Sequence, residues 1–430
     1  MIAEEQAAVP MTEGAHRARF FRQSGWLMIA NIAGGVLMWA VHLLARATGK
    51  NEYGLFITLL TGVMLVPAIP LQMMFAQQTA KALATGRERE LSALTRSICL
   101  GLFVAWALLC VGVLAFQGAI LRFWGVSNPA ALWVTMPSLL LTLWAPAFMG
   151  MLQGEENFLW LGWSMMSNGI GRLAGAAFAV LVLHAGAVGM MVGVLIGIVV
   201  AVAISVWQTR RLWTLPTLSF DWSSTLRQII PLMFGFLCVQ FLFTGDTLFV
   251  KHYFTAGATG AYGSAGTLSR ALIWLVGPLA TVMFPRIVHS SAKSQQTNIM
   301  GVVLIGTTIL AIGGALGLAV LGPLAVKLIY GQDFVPIASS VLPWYAAAMV
   351  PLALANVLVN NLLARSQFAV VPFIFVLGVA YAGTMVYVNQ IAHSLVVVLQ
   401  TLGGFNFLFL VVCAWFTWGA KPNQRGAPRA

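Results

Sequence analysis

Long apolar runs, separated by short polar segments, make up most of the 430-residue chain. Each run has about the 20 residues that an α-helix needs to cross the hydrocarbon core of a bilayer. A transmembrane β-barrel would show short alternating segments instead. The pattern predicts twelve membrane spans, at 25–46, 54–78, 97–117, 129–150, 158–182, 186–208, 228–250, 262–288, 299–321, 337–364, 367–388 and 395–418.

The composition agrees with a membrane protein and excludes other classes. Hydrophobic residues make up 60% of the chain and charged residues 8%, whereas a soluble domain carries roughly 25% charged residues. The formal net charge of +12 fits basic loops that orient the chain and contact the lipid bilayer, and we expect no nucleic-acid partner. The four cysteines lie in apolar runs without a close pair, so we expect neither a metal site nor a redox pair.

Lysine and arginine are unevenly distributed between the two sides of the predicted spans. With a cytoplasmic N-terminus, sixteen of the 23 basic residues fall in cytoplasmic segments and five at the opposite ends. The positive-inside rule therefore predicts both termini in the cytoplasm of a multi-pass protein of the cell inner membrane. The predicted segments are a leader at 1–24, a six-helix lobe at 25–208, a cytoplasmic linker at 209–227, a second six-helix lobe at 228–418 and a cytoplasmic tail at 419–430.

All loops between the predicted spans are short. They leave no room for the exposed domain that membrane glycosyltransferases, polymerases and ligases usually carry, and no convincing acid–base pair lies outside the cytoplasmic turns. The P-loop motif for ATP is also absent from the sequence. We therefore predict a transporter and not an enzyme, without a cofactor, and driven by an ion gradient, the membrane potential or the gradient of its own ligand.

The two halves of the chain resemble each other. Tyr53-Gly54 opens the second span, and Tyr262-Gly263 opens the eighth span 209 residues later. Six spans in each half would give both halves the same topology, related by an axis along the membrane normal, as in the parallel repeats of transporters. The predicted fold is thus an all-α membrane protein of two six-helix bundles. Prolines at matching points of the halves are Pro70 and Pro278, Pro129 and Pro336, Pro137 and Pro343, and Pro146 and Pro351.

Polar side chains recur at helical spacing on the symmetry-related first and seventh spans. The two helices could face each other across a substrate cleft, or they could pack as a seam in which polar groups bond between helices. The stripe on the first span contains Asn31, Gly35, Met38, His42 and Arg46, and the stripe on the seventh contains Gln240, Thr244, Thr247 and Lys251.

Three charged residues lie well within predicted spans. A charge at the centre of a bilayer costs about 2.5–3.5 kcal/mol on insertion scales, so each should face a cavity or a partner. Arg270 could contact substrate, pair with Asp246, or do both. Asp246 could instead serve as a cation or proton site, and Arg172 could line the cavity or extend to the membrane interface.

The predicted interior therefore offers arginine, lysine and histidine but only one carboxylate. Guanidinium and ammonium groups bind phosphate and carboxylate by charge-assisted hydrogen bonds. An exporter of cationic drugs would be expected to place acids in its cavity. The charge balance favours an anionic ligand.

Several runs of the sequence resemble the polysaccharide flippases of the MOP superfamily, a group that also holds multidrug and toxin extruders and peptidoglycan-precursor flippases. Twelve spans count against the last branch, which typically has two further helices, and the absence of an acid from the first span counts against the extruders. The runs are Leu44–Gly54, Pro70–Gln72 and Ala80–Ala84 in the first half, and the stretch from Asp246 through Ala261–Gly263, Leu268–Arg270 and Phe284–Arg286 in the second.

The resemblance implies a flippase that moves undecaprenyl-diphosphate-linked oligosaccharides from the inner to the outer leaflet by alternating access. It also implies that Arg270 takes the place of an eighth-span arginine near the cavity, with Arg46, His42 and Lys251 as further cationic candidates. Asn31, Gln240 and Arg172 complete the predicted substrate site. The alternative functions are a proton- or sodium-coupled extruder of small cations that uses Asp246 for coupling, a membrane enzyme acting on a polyprenyl sugar, and a major-facilitator carrier.

Overall fold

The computed structural model describes residues 13–124, 128–216, 222–273, 299–364 and 368–419, and these residues are helical apart from short connections. The predicted all-α membrane fold is confirmed. The first half contains α1 (Glu13–Ala40), α2 (Ala45–Met64), α3 (Ala68–Thr85), α4 (Glu88–Ala115), α5 (Gln117–Phe123), α6 (Pro129–Gly154), α7 (Phe158–Ala177) and α8 (Gly186–Trp213). The second half contains α9 (Trp222–Thr244), α10 (Asp246–Tyr253), α11 (256–273), α12 (Ile299–Ile329), α13 (Val335–Ala364), α14 (Val371–Ile391) and α15 (Leu395–Ala414).

Nine helical stretches within the described ranges are long and apolar enough to cross a membrane, or ten if the bent pair α9–α10 is one span. The first stretch, Gly25–Thr85, has 61 residues and covers two predicted spans. Large aliphatic side chains such as Val320 and Leu108 remain exposed, as expected for helices that face lipid. The count of twelve stays a prediction, because the second part of the eighth span lies outside the described residues, as do most of the predicted tail and parts of the leader and linker.

Three spans that the sequence pattern predicts as continuous helices are broken. The first leaves the α-helix at Ala40 for a four-residue 3-10 turn, Val41–Leu44. The second starts earlier than predicted, after a kink at Gly49 within the stretch Ala45–Met64, and is interrupted before Ala68, where Pro67 supplies no backbone N–H for a helical bond. The seventh bends by 48° between α9 and α10. Broken membrane helices of this kind are tolerated only where other groups satisfy the freed backbone atoms.

Equivalent helices contact each other in the two halves. In the first half α1 packs on α7, α6 packs on α8, and α7 packs on α8. In the second half the corresponding pairs are α9 with α14, α13 with α15, and α14 with α15. The internal prolines of α6 and α13 also fall at matching positions of the two helices. The residue limits of the two lobes remain a prediction.

The two halves touch where α2 crosses α11. A Cβ atom on Gly54 would lie 2.6 Å from the carbonyl oxygen of Ala256, and one on Gly260 would collide with the carbonyl of Lys50. Glycine is required at both positions because only a missing side chain lets the two backbones approach so closely. Gly54 belongs to the first repeated Tyr-Gly pair, and Gly260 lies two residues before the second, so the repeated segments provide one contact between the halves.

Candidate functional site

The bend of the seventh span creates an arginine site in the second half. Gly245 separates α9 from α10, and the helical pattern is interrupted there. The carbonyl oxygen of Phe243 accepts a hydrogen bond from Nε of Arg270 at 2.9 Å, which supplies a partner at the break. The same guanidinium lies 2.7 Å from Oδ1 of Asp246 and 3.1 Å from Oγ1 of Thr247 through Nη2.

Two tyrosines complete the environment of Asp246. The Tyr262 hydroxyl donates to Oδ2 of Asp246 at 2.7 Å. The Tyr345 hydroxyl donates to the same oxygen and accepts from Arg270. Asp246 is completely buried and Arg270 is 9% exposed. The ion pair therefore joins α10, α11 and α13 into one network. Both carboxylate oxygens of Asp246 and the Nε and Nη2 atoms of Arg270 have their partners in the second half.

A second polar cluster lies where the two halves meet. His42 is buried in the 3-10 turn, and its Nδ1 is 2.9 Å from the Tyr53 hydroxyl. That hydroxyl is also 3.4 Å from Oγ1 of Thr267 on α11, so Tyr53 connects the first half with the second. The ring of Tyr53 lies 5.4 Å from that of Tyr330 and 5.8 Å from that of Phe334, which both belong to the second half.

Arg172 extends toward this junction from α7. Glycines of α8 allow a close approach of α7, and a Cβ on Gly197 would lie 2.9 Å from Cβ of Arg172. The side chain is 7% exposed, and α7 packs against the 3-10 turn that carries His42. Its Nε has no hydrogen-bond partner among the described residues, and neither has Nε1 of Trp39, whose ring is 6.4 Å from the His42 ring.

Unlike the network around Arg270, this junction contains donors without acceptors. Arginine Nε and tryptophan Nε1 can only donate. A buried donor without a partner costs about 1–3 kcal/mol, so an acceptor from a ligand or from water would stabilise these groups. Three basic residues, Arg172, Lys251 and Arg270, are buried in the described parts of the chain, against Asp246 as the buried acid. The arrangement can therefore bind an anion that is rich in acceptor oxygens.

The remaining predicted residues are more widely spread. Lys251 is buried on α10. Arg46 is exposed and its aliphatic part lies beside Gly331. Asn31 is exposed on α1, and Nε2 of Gln240 donates to the carbonyl oxygen of Met64 at 2.8 Å.

Neither predicted stripe lies on one continuous helix face. The 3-10 turn has three residues per turn instead of 3.6 and changes the phase of the first span, so that Arg46 lies on a different helix from Asn31. On the seventh span the bend at Gly245 separates Gln240 from Lys251. Within α1, Asn31 lies roughly 100° around the helix from the face that packs on α7, because each residue turns the helix by about 100°.

Sequence reasoning did not identify the tyrosines as part of the site. Tyr53 and Tyr262 stood out only as members of the repeat, and Tyr345 gave no signal beyond being a tyrosine in an apolar run. A buried tyrosine hydroxyl needs a hydrogen-bond partner. The signal that could have found these residues is the rarity of tyrosine, with 7 in the chain, next to the few intramembrane charges.

The chain matches known proteins at two levels. The model of the family described as polysaccharide biosynthesis protein matches residues 20–291, more than half of the chain. A search of curated proteins found no significant match.

Solved structures share the fold at low sequence identity. A multidrug resistance MATE family transporter of the MOP superfamily, in an inward-facing conformation, has a TM-score of 0.70 at 14% identity over 89% of this chain and 93% of its own. The lipid II flippase MurJ, in an inward closed conformation, has 0.64 at 14% over 94% and 88%. The eukaryotic MATE transporter AtDTX14 has 0.65 at 14% over 92% and 96%. The fold is that of MOP superfamily transporters.

Proposed function

The chain belongs to the polysaccharide biosynthesis protein family of membrane transporters, and we propose that it is a flippase for a polyprenyl-diphosphate-linked oligosaccharide. The carrier would be undecaprenyl diphosphate, and the membrane the cell inner membrane with both termini in the cytoplasm. The excess of basic residues on one side of the predicted spans supports this orientation. MurJ, whose fold is similar, is described as a lipid II flippase.

One observation carries the proposal, namely the buried Arg172 near the junction of the halves. Its Nε has no hydrogen-bond partner in the described part of the chain, and α7, which carries it, packs against the turn that contains His42. The buried carboxylate of Asp246 is already held by Arg270. A diphosphate offers the acceptor oxygens and the negative charge that Arg172 lacks, and arginine binds such groups with two parallel hydrogen bonds.

The physical task fits a two-lobed transporter. The polyprenyl tail can stay in the bilayer, while the charged head group needs a polar path because its transfer into hydrocarbon would cost many kcal/mol. The halves touch at the end that carries Lys50 and Gly260, which the proposed orientation puts on the outside. The head group would therefore enter from the cytoplasm and leave after the halves rock about the site.

A second candidate is a proton- or sodium-coupled extruder of small cations. Its support is the fold similarity to a multidrug resistance MATE transporter. The charges favour it less, since the buried acid available for a cation or a coupling ion is in contact with Arg270, Tyr262 and Tyr345.

Head-group translocation in liposomes tests the proposal. The purified protein is reconstituted with a polyprenyl-diphosphate disaccharide that carries a fluorophore, and a membrane-impermeant reductant reports how much label crosses. We expect Arg172→Ala to slow crossing at least about tenfold, since a lost charge-assisted hydrogen bond is worth about 1.5–3 kcal/mol, and Arg172→Lys to retain part of the rate.

The matched control is Arg210→Ala, which removes an exposed arginine at the end of α8 that stacks on Trp207. It should leave translocation unchanged. Crossing at the wild-type rate in Arg172→Ala, with normal folding, would contradict the assignment of the site. Transport of a cationic dye that is lost in Asp246→Asn, without lipid translocation by the wild type, would favour the extruder.

A further inference from the structure

The two halves differ in how their third and fourth spans pack. In the second half α12 lies closely against α13, whereas in the first half α4 contacts α6 over a much smaller part of its length. A cavity of about 530 Å³ opens between α2, α4, α5 and α6. Leu59, Val63, Val113, Ile120, Phe123 and Met136 are among its lining residues.

Two tryptophans hold α6 to its neighbours beside this cavity. Nε1 of Trp106 on α4 donates to the carbonyl oxygen of Met136 on α6 at 2.9 Å. Nε1 of Trp133 on α6 donates to Oε1 of Gln117 on α5 at 3.0 Å. These two hydrogen bonds connect α4, α5 and α6. The apolar cavity remains open beside them.

The lining determines what can occupy this space. Its side chains are apolar apart from Thr135, whose hydroxyl already donates to the carbonyl of Ala131 at 2.8 Å. Cavities lined by apolar groups stay free of water and accept apolar molecules, because water finds no partners in them. Exposed side chains of α4 and α5, such as Leu109, Leu114 and Phe123, continue the apolar surface toward the bilayer, so a hydrocarbon chain can enter from the membrane.

A positive charge lies at the rim of the cavity. Arg122 is exposed, directly precedes the lining residues Phe123 and Trp124, and bonds through Nε to the carbonyl of Gly118 in its own helix. No salt bridge within the described ranges involves Arg122. An exposed arginine at the end of a membrane helix attracts anionic lipid head groups.

The cavity is separate from the proposed path of the cargo. On α2, Leu59 and Val63 face the cavity, whereas Tyr53 and Phe56 face the cluster at the junction of the halves. At a rise of 1.5 Å per residue, Leu59 lies about 9 Å along the helix axis from Tyr53. The lining of the cavity includes none of His42, Tyr53 and Arg172, so the cavity is distinct from the cluster at the junction.

We propose that this cavity binds one hydrocarbon chain of an anionic phospholipid, whose phosphate lies against Arg122. The lipid is a resident of the protein and not its cargo. The lipid also contacts Phe123, which connects the two halves. The ring of Phe123 stacks on His252 of α10 at 3.9 Å between ring centroids, and Nδ1 of His252 is 3.3 Å from the carbonyl oxygen of Phe123. A bound chain supports Phe123 in this position and stabilises the contact.

Lipid binding to the purified full-length protein tests this proposal. Phosphatidylglycerol and phosphatidylcholine with identical oleoyl chains are titrated, and bound lipids are counted by native mass spectrometry. Gly62 lines the cavity, and a Cβ atom at this position would meet no atom within 4 Å, so Gly62→Leu places a side chain in the cavity. We expect this variant to bind phosphatidylglycerol about tenfold more weakly, because the leucine side chain occupies space that the hydrocarbon chain needs.

Two variants make the result specific. Gly101→Leu on α4 also enters open space, carries the same change in helix propensity and lies outside the cavity, so it should bind lipid as the wild type does. Arg122→Gln should reduce the preference for phosphatidylglycerol over phosphatidylcholine while chain binding persists.

Three results would overturn the proposal. Wild-type binding by Gly62→Leu would show that the chain lies elsewhere, and equal affinity of the wild type for both phospholipids would remove the role of Arg122. Polyprenyl phosphate at equal concentration could also displace phosphatidylglycerol from the wild type. If it did so, and if Gly62→Leu no longer bound polyprenyl phosphate, the cavity would be a site for the tail of the cargo.

Discussion

Within the described residues, each half of the molecule buries one arginine, and these two arginines have opposite surroundings. Arg270 in the second half contacts Asp246, Thr247, Tyr345 and the freed carbonyl of Phe243. Arg172 in the first half has an unsatisfied Nε and no salt bridge within the described part of the chain. A satisfied buried charge serves the fold, whereas an unsatisfied one costs stability and is retained for a ligand.

This contrast separates two roles that the sequence left open. Intramembrane arginine by itself predicts either a structural pair or a binding site. The ion pair in the second half connects α10, α11 and α13 across a bend, where it holds together helices that lack continuous backbone bonding. In the first half, Nε of Arg172 has no partner among the described residues, and α7 packs against the turn that carries His42, near the contact between the halves.

The largest expected effect follows from breaking the satisfied pair. Arg270→Met leaves Asp246 buried without a counter-charge, and we expect the free energy of unfolding in detergent to fall by about 3–5 kcal/mol. Titration with a denaturing detergent measures it. The double variant Arg270→Met with Asp246→Leu removes both charges and should recover much of the loss. A loss below about 1 kcal/mol in the single variant would contradict a structural role for the pair.

The same substitution in the first half should act in the opposite direction. Arg172→Met removes an unsatisfied buried donor, and we expect the free energy of unfolding to rise by about 1–3 kcal/mol. The same detergent titration measures this value, and translocation of the lipid head group should fall in the same variant. Destabilisation comparable to that of Arg270→Met would show that Arg172 has a structural partner, and the contrast between the halves would then be lost.

The sequence predicts the fold better than it predicts the breaks in the fold. Apolar length is a local signal, so helices such as Pro129–Gly154 and Gly186–Trp213 are predicted within a few residues. The breaks depend on single residues, such as Pro67 and Gly245, and on partners elsewhere in the chain. Gly49 has φ at +78° within the helical stretch, a conformation that favours glycine, but one glycine among 42 does not reveal its conformation.

The candidate site is predicted only in part for the same reason. Arg270 and Asp246 could be proposed as partners because they are charges of opposite sign in apolar spans. Tyr345 lies 99 residues from Asp246 in the chain, and nothing in a single sequence brings the two together. The unsatisfied state of Arg172 is likewise a property of the packed helices, since it depends on what α1 and α8 place around the guanidinium.

The smallest effect compares the two tyrosines of the repeat. Tyr262 donates to the carboxylate of Asp246, whereas Tyr53 bonds to the imidazole of His42 and the hydroxyl of Thr267. Hydrogen bonds to charged groups contribute about 1.5–3 kcal/mol and those between neutral groups about 0.5–1.5 kcal/mol. Tyr262→Phe should therefore lower the free energy of unfolding by about 1 kcal/mol more than Tyr53→Phe.

We expect the opposite order of the two tyrosine variants in the rate of head-group translocation. Tyr53 connects the halves and borders the unpaired Arg172, so Tyr53→Phe should slow head-group translocation more than Tyr262→Phe does, at equal amounts of folded protein. Detergent titration and the liposome assay on the same preparations give both orders. If Tyr262→Phe lowered both the free energy of unfolding and the translocation rate more than Tyr53→Phe did, the loss of rate would follow from the loss of stability alone. The junction would then have no role of its own in transport.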